Sequence, residues 1–334
     1  MENFSENTIK ENDSLFTKRS KQGLMRTITD QPLVFALIVL VIIFYFMEPR
    51  FLSKRNIFNI VLQVSILAPV AIGQTMVILT GGIDLSVGSV LAFSSAYCAS
   101  MLLAGYNVIL CIVVALAIGS FLGLCNGLGI AFLKIPPLIA TLGMMSIARG
   151  LQLTHTLGAT IYSFPKAFRY LAETQWIGIP APIYLVILIF IIFHLIMRYT
   201  IMGRSIYAFG GNREAARISG ISLTKVTLWV YTMAGLLTSI GGIILIMRMN
   251  ASETSAGQGL ELEAIAAVVI GGTSLAGGRG SVMNTFLGTL IYGIILNGLN
   301  IVGVNPFIQK MVIGFLIIGA VAADSIMRYR RGER

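Results

Sequence analysis

The sequence predicts an all-α polytopic membrane protein with about ten transmembrane helices, because of its composition and its long apolar runs. Of the 334 residues, 56% are hydrophobic and only 11% are charged, whereas a soluble domain carries about 25% charged residues. The apolar residues form long runs between charged or glycine-rich breaks. Because the bilayer core offers the backbone no hydrogen-bond partner, segments that cross it must be helical. A large soluble core is the alternative that this charge content disfavours.

Ten apolar segments follow one another along the chain. Several are shorter than the ~20 residues that cross ~30 Å of hydrocarbon, so we expect short, glycine-interrupted segments among the helices. The segments are 32–47, 57–80, 86–104, 108–132, 136–152, 182–199, 226–248, 263–278, 282–304 and 309–327. The first is followed by Glu48-Pro49-Arg50 and by no small-residue cleavage site, so we interpret it as a retained span and not a signal peptide.

Basic residues predict the orientation of these segments. With ten crossings and the N-terminus inside, the cytoplasmic side receives 16 of the 24 Lys and Arg residues, as positive-inside topology requires. The expected organisation is a cytoplasmic tail (1–31), a transmembrane domain (32–327) and a cytoplasmic tail (328–334). A loop at about 200–225 joins the sixth and seventh segments on the cytoplasmic side. The predicted location is a bacterial inner membrane, crossed many times.

Small residues inside the spans predict close packing. Gly119, Gly123 and Gly127 recur every four residues, so one face of that helix carries no side chains and lets a neighbouring backbone approach. The three cysteines, Cys98, Cys111 and Cys125, lie in apolar segments without the spacing of metal ligands. We therefore expect them to be packing residues.

The sequence offers no catalytic constellation. It has no GxxxxGK[ST] phosphate loop, so this chain does not hydrolyse ATP by that route. His155 and His194 are far apart and belong to no metal-binding pattern, so no metal, cofactor or catalytic residue is expected. Only two acids, Asp84 and Asp324, touch the predicted spans. Proton-coupled carriers place more ionisable groups at depth, which disfavours that class.

Asp84 lies in a glycine-rich break between the second and third segments, 80–89. The paired glycines let the backbone leave helical geometry, and the carboxylate can cap the helix that follows. Gating or lining a polar pathway is compatible with that structural role. A similar break at 271–282 echoes the first with a two-residue insertion, and paired glycine-interrupted segments point to the central pathway of a transporter.

The 200–225 loop is the most specific local signal. Asn212 can cap a short helix beginning at Arg213, and Gly220 can end it. Ala215 and Ala216 would let that helix dock closely against another protein, although a solvated connection is the plain alternative. The residues assigned to this loop are Gly203, Arg204, Gly210, Gly211, Asn212, Glu214, Ala215, Ala216, Arg217 and Gly220.

Four stretches, taken together and in order, resemble the permeases of bacterial ABC importers for simple sugars, the ribose-type group. They are 73–79 (GQTMVIL) running into GGIDLSVGS, 136–143 (PPLIATLG) with Arg149-Gly150, the 203–221 loop, and 263–270 (EAIAAVVI) leading into GGTSLAGGRGS. The resemblance covers roughly residues 50–325.

The resemblance implies a membrane subunit that translocates a ribose-like monosaccharide and is not itself an enzyme. It also implies three partners: a cytoplasmic ATPase polypeptide engaged by the 203–221 loop, a periplasmic sugar-binding protein, and a second permease copy or paralogue. Permeases for nucleosides and branched-chain amino acids are more distantly similar. Substrate selectivity in such systems lies largely with the binding protein, so the resemblance leaves the individual sugar open.

Polar residues within the segments are candidates for lining or gating the passage. Each could equally form a hydrogen bond between helices. They are Gln74, Asp84, Ser86, Asn126, Thr141, Asn297 and Asn300. Two other classes remain open from the sequence, namely a secondary sugar carrier that works alone and a membrane scaffold without transport. An ABC permease for a nucleoside or another small polar solute is the alternative within the same class.

Overall fold

The computed structural model describes residues 31–330, so most of the two predicted tails lies outside the described chain. It is a helical membrane-protein fold with very little strand. The helices are α1 Pro32–Met47, α2 Lys54–Leu79, α3 Val87–Leu103, α4 Val108–Ala131, α5 Pro137–Thr156, α6 Lys166–Glu173, α7 Ala181–Tyr199, α8 Ile201–Gly211, α9 Arg213–Ile218, α10 Leu223–Met249, α11 Leu260–Ile270, α12 Val282–Ile301 and α13 Pro306–Arg330, with a 3-10 turn at Pro49–Leu52.

Ten of these helices overlap the ten predicted segments. Five have the length and apolarity to cross a membrane, namely α2, α4, α7, α10 and α12, while α1, α3 and the apolar part of α13 are shorter. The largest difference is in the eighth segment, predicted as 263–278. Helix α11 ends at Ile270, because Gly272 takes a left-handed backbone (φ +79°). Its 11 residues rise only about 16 Å, roughly half of the hydrocarbon thickness.

Polar side chains fix where several helices begin. Ser53 accepts a hydrogen bond from the Asn56 amide at the start of α2. Asn107, Ser222 and Ser281 do the same at the start of α4, α10 and α12. Each side chain satisfies one of the amides that have no partner in the first helical turn.

Helix α2 is the centre of the fold. It packs against α7, α10, α11 and α12, while α10 also contacts α3 and α4. Every residue of α2 from Val64 to Leu79 is buried. By contrast, α4 and α7 leave large side chains such as Phe121 and Ile191 exposed, which suits lipid-facing helices.

The glycine face predicted on α4 is confirmed. A Cβ added at Gly119 would meet the Gly235 carbonyl oxygen and the Ser239 side chain of α10, and one at Gly123 would meet the Tyr231 carbonyl oxygen. Conversely, a Cβ at Gly235 would strike the Gly119 backbone. The two backbones therefore touch, in the manner of small-residue packing between membrane helices.

A short ordered cap at one end of the bundle was not predicted from the sequence. It includes α6 and two small antiparallel pairs, β1 (Ile161–Tyr162) with β4 (Ala251–Ser252), and β2 (Gln175–Trp176) with β3 (Ile179–Pro180). The β1–β4 pair joins the segment after α5 to the segment after α10. We call this the strand end of the bundle, and the end that carries α8 and α9 the loop end.

Candidate functional site

The Asp84 side chain is buried (2% exposed) in the break between α2 and α3. Its Oδ1 accepts hydrogen bonds from the Ser86 amide (2.8 Å) and the Ser86 hydroxyl (2.6 Å). The expectation that Asp84 caps α3 needs correction, because Ser86 occupies the N-cap position and its own side chain makes no capping bond. The carboxylate instead closes the turn that leads into the helix, as Asp often does in an Asx turn.

Neighbouring helices complete a network around this turn. The Asn126 amide on α4 donates to the Ser86 hydroxyl (3.0 Å), and the Thr141 hydroxyl on α5 donates to the Ile83 carbonyl oxygen (3.2 Å). With its amide in the orientation that satisfies both atoms, Gln74 on α2 bonds the Asp84 backbone N–H and C=O at 3.2 Å each. One break is thus held by residues of α2, α4 and α5.

Five of the seven candidate pathway residues therefore lie together. Each is at most 2% exposed, so in this conformation they form a closed polar cluster and do not line open space. We call this set the polar cluster: Gln74, Asp84, Ser86, Asn126 and Thr141. The other two candidates lie elsewhere, since Asn297 accepts from the Asn56 side chain (2.8 Å) and Asn300 accepts from Gln309 (3.0 Å).

The two glycine-rich breaks begin in the same way and touch each other. Gly81 (φ +75°) ends α2 and Gly272 (φ +79°) ends α11, each with the paired amide–carbonyl bonds of a Schellman motif. The two breaks, which are similar in sequence, therefore also begin with the same backbone structure. Farther along the second break, the Gly278 amide donates to the Leu79 carbonyl oxygen (2.9 Å), which joins the two breaks directly.

Helix α8 packs onto this contact. A Cβ at Gly210 would overlap the Leu79 carbonyl oxygen and lie 2.5 Å from the Gly278 amide nitrogen. The Tyr207 hydroxyl, one turn earlier, donates to the Gly280 carbonyl oxygen (3.0 Å). Backbone from three separate parts of the chain thus converges here. We call residues 79–82, 210 and 277–280 the glycine junction.

The 200–225 loop is mostly helical. The predicted short helix is confirmed as α9, because Asn212 accepts from the Ala215 amide (2.9 Å) and Gly220 (φ +82°) ends the helix.

The longer helix α8 before it was not predicted. It begins at Ile201, capped by Thr200, and Gly203 lies against the backbone of Ile196 and Met197 at the end of α7. Arg204 is exposed and Gly211 has open space around it.

The exposed face of α9 differs from the expected one. Ala216 is buried (4% exposed), because it faces the rest of the protein, and so it cannot be a docking contact; Ala215 is exposed. The solvent side instead carries Ile218, which is 74% exposed, and a Glu214–Arg217 ion pair (2.6 Å). Hydrogen bonds from Arg217 hold the pKa of the Glu214 carboxyl below its usual range.

Arg149 on α5 has a role that the sequence did not reveal. Its guanidinium donates to Gln152 Oε1 (2.8 Å) and to the carbonyl oxygens of Thr254 (3.3 Å) and Ala256 (3.0 Å). It thereby holds the series of turns between β4 and α11. The resemblance included Arg149-Gly150, but only the fold shows what the arginine binds.

A polar cavity of about 290 Å³ lies beside this arginine. It is lined by Ser89, Met145, Ser146, Arg149, Gln258, Gly259 and Glu261. Ser89 belongs to the first turn of α3, so the cavity lies next to the polar cluster. Glu261 and Glu263 both lie on α11, so the expectation that only Asp84 and Asp324 touch spans is wrong. Glu263 is already the first residue of the predicted segment 263–278, and Glu261 joins it because α11 begins three residues earlier.

Within residues 31–330, no group of three or more His, Cys, Asp or Glu side chains could hold a metal ion. The three cysteines are free, with Cys98 and Cys111 buried. His155 bonds the Ser100 hydroxyl (2.8 Å), and His194 stacks on Phe190 at 5.9 Å between ring centroids. The distinctive features of the described chain are therefore the polar cluster, the glycine junction and the cavity at Arg149.

Comparison with known proteins gives consistent matches. Residues 56–321 match the family described as "Branched-chain amino acid transport system / permease component". The ribose import permease protein RbsC of Bacillus subtilis (strain 168) is 46% identical over 290 residues, which cover 86% of this chain and 90% of that protein.

Other relatives share the same extent of similarity. RbsC of Escherichia coli (strain K12) is 40% identical over 300 residues, 89% of this chain and 94% of that protein. The D-allose transport system permease protein AlsC of the same strain is 37% identical over 295 residues, 88% and 90% of the two chains. No solved structure matches the chain.

Proposed function

The chain belongs to the family of branched-chain amino acid transport system permease components, and from that premise we propose that it is the membrane-spanning subunit of an ATP-driven importer for a simple sugar. The observation that carries this proposal is its 40–46% identity, over nearly the whole of both chains, to relatives named as ribose import permeases. The family description mentions branched-chain amino acids, but relatives named for allose and L-arabinose transport favour a monosaccharide.

Reconstitution tests this function. The chain alone in liposomes should give no concentrative ribose uptake under a proton or sodium gradient, whereas uptake should begin when an ATPase polypeptide, a sugar-binding protein and ATP are added. The physical reason is that transport against a gradient needs partners that bind the two end states differently. Because α11 brings Glu261 and Glu263 into the bundle, the proton-gradient arm is essential.

Three outcomes would contradict the proposal. Ion-driven accumulation by the chain alone would make it a secondary carrier. ATP-driven uptake of leucine or of a nucleoside, without uptake of ribose, allose or arabinose, would support an ATP-driven importer but would show that its substrate is not a simple sugar. A complete system that transports none of these solutes would favour a scaffold role.

The proposed topology has ten crossings with both termini in the cytoplasm of a bacterial cell. The domain division 1–31, 32–327 and 328–334 follows from it. The loop end of the bundle carries Arg198, Arg204, Arg213, Arg217 and Lys225, in agreement with a cytoplasmic location. Helix α11 would cross only about half of the bilayer, and the turns at 253–259 before it would complete the crossing. Such discontinuous spans are typical near a transport pathway.

The proposed mechanism links three features. The ATPase binds α9, α8 transmits its movement to the glycine junction, and the two breaks then rearrange the polar cluster. In the present conformation the polar cluster is closed, whereas the cavity at Arg149 is open. Such a cavity offers hydroxyl, amide and charged groups to a sugar, and the closed cluster beside it acts as the gate.

A second copy of the chain is proposed to cover helix α5. Gly143 and Gly150 have no neighbouring atom within 4 Å of an added Cβ, and Ser146 between them is exposed. Small residues on one helix face favour helix association in membranes. Since Ser146 also lines the cavity at Arg149, the second copy would close that cavity from the side. The passage would then run between two subunits.

The exposed side chain of Ile218 tests ATPase docking. We expect Ile218→Glu to weaken copurification of the ATPase about tenfold or more, because a buried apolar anchor at an interface contributes roughly 2 kcal/mol. Uptake should fall in parallel, while membrane insertion stays unchanged. Ile177→Glu is the matched control, since Ile177 is 96% exposed but lies at the strand end. Full ATPase copurification with Ile218→Glu would remove α9 from the docking surface.

A further inference from the structure

A cavity of about 610 Å³ lies at the loop end, where α7 ends, α8 runs along the bundle and α12 begins. Its lining comes from all three helices: His194, Met197, Arg198, Arg204, Tyr207, Ser281, Val282 and Met283. None of the features used so far explains this space. It lies apart from the cavity at Arg149, with which it shares no lining residue.

The cavity carries uncompensated positive charge. Arg198 and Arg204 line it, and no acidic residue does. Among residues 31–330, neither arginine forms an ion pair; Arg204 donates to the Tyr199 carbonyl oxygen (3.3 Å), and Arg198 lies over the Tyr199 ring at 5.5 Å. Guanidinium groups bind phosphate oxygens in pairs of hydrogen bonds. The lining therefore favours an anion with two or more oxygens, such as a phosphate.

The start of α12 adds to this preference. Ser281 caps the helix by accepting from the Asn284 amide (3.1 Å), which leaves the first amides of a 20-residue helix at the edge of the cavity. Unpaired amides and the helix dipole favour negative charge at that position. The two arginines and the start of α12 thus all favour a bound anion.

The surroundings indicate that the phosphate belongs to a lipid. Helix α7 is apolar enough to cross a membrane, and Leu195 near its end is 48% exposed. Met283, which lines the cavity, is 44% exposed. Apolar side chains thus lie next to two arginines where a span meets the 200–225 loop, and the proposed topology places phospholipid headgroups at this end of the span. Basic pockets between helices in this position bind anionic lipid headgroups.

We propose that this cavity binds the headgroup phosphate of an anionic phospholipid through Arg198 and Arg204. A bound lipid would hold the end of α7 against α8. It would also lie beside Tyr207, whose hydroxyl bonds the Gly280 carbonyl oxygen, and so it would stabilise the contact between α8 and the glycine junction. This inference concerns lipid binding and does not depend on the transported solute.

Thermal unfolding of the purified chain in detergent tests the proposal. Phosphatidylglycerol should raise the Tm about 5 °C more than phosphatidylcholine does, as a ligand at roughly 100 times its Kd would. The double variant Arg198→Gln/Arg204→Gln should lose most of that difference while keeping its Tm in phosphatidylcholine. Arg55→Gln, an exposed arginine at the start of α2 and at the strand end, should behave as the unmodified chain.

Two further arms separate the possible outcomes. Glycerol phosphate at the same concentration should not raise the Tm; an equal rise would make this a site for a soluble phosphate and overturn the lipid assignment. Native mass spectrometry of the unmodified chain should retain phosphatidylglycerol and not phosphatidylcholine, which keeps the test valid if the double variant misfolds. Equal retention of both lipids, or a full Tm shift in a folded double variant, would refute the proposal.

Discussion

We expect Gly210→Ala to reduce sugar uptake below about a tenth of the unmodified level, whereas Gly211→Ala leaves it nearly unchanged. A Cβ at residue 210 would overlap the Leu79 carbonyl oxygen and crowd the Gly278 amide. These atoms are backbone and cannot move aside as a flexible side chain would. Overpacking of this kind costs typically about 1–3 kcal/mol, and 1.4 kcal/mol corresponds to a tenfold change.

Gly211 provides the control within the same helix. It is the last residue of α8, and an added Cβ there has no neighbouring atom within 4 Å. Both variants should insert into the membrane and should bind the ATPase, because neither changes the exposed face of α9. Uptake and ATPase copurification are measured on the same preparations. Normal uptake with Gly210→Ala would show that the contact of α8 with the breaks takes no part in coupling.

The second large effect is expected at Asp84. Asp84→Leu should abolish uptake, because it leaves the buried amide and hydroxyl of Ser86 without their acceptor. Removing the partner of a buried donor costs about 1–3 kcal/mol, and here two donors share one oxygen at 2.8 and 2.6 Å. The closed polar cluster would then lose the bonds that hold its turn, and with them its action as the gate.

Asp84→Asn separates hydrogen bonding from charge. The amide oxygen of Asn can accept from the Ser86 amide, so this variant should retain partial uptake. Both variants are compared with the unmodified chain for uptake of labelled sugar at equal amounts of inserted protein. Full activity of Asp84→Leu would make the carboxylate incidental, and complete loss in Asp84→Asn would mean that the negative charge itself is required.

The sequence predicted most spanning helices to within a few residues, because a bilayer requires long apolar runs that are visible without a fold. The prediction was incomplete for α8 and α11, which are short helices without a long apolar run. Helix α8 contains three glycines and an exposed arginine within 11 residues, so neither apolarity nor helix propensity marked it. Helix α11 begins three residues before the predicted segment, and the charge of Glu261 concealed those residues.

The candidate site was only partly predictable for a different reason. Asp84 and the glycine breaks stand out because an acid and paired glycines are unusual in apolar surroundings. Nothing in the sequence indicates that Asn126 meets Ser86 while Asn297 meets Asn56, since both asparagines lie in similar apolar runs. The buried side of α9 was also hidden, because six residues are too few to reveal which alanine faces inward.

The contact between α4 and α10 limits how this protein can move. Gly119 and Gly235 place the two backbones in contact, so neither helix can slide or roll past the other without separating these backbone atoms. The pair should therefore turn as one rigid lever. Conformational change must then be absorbed at hinges on either side of it, and the glycine-rich breaks after α2 and α11 are the segments with the backbone freedom to do so.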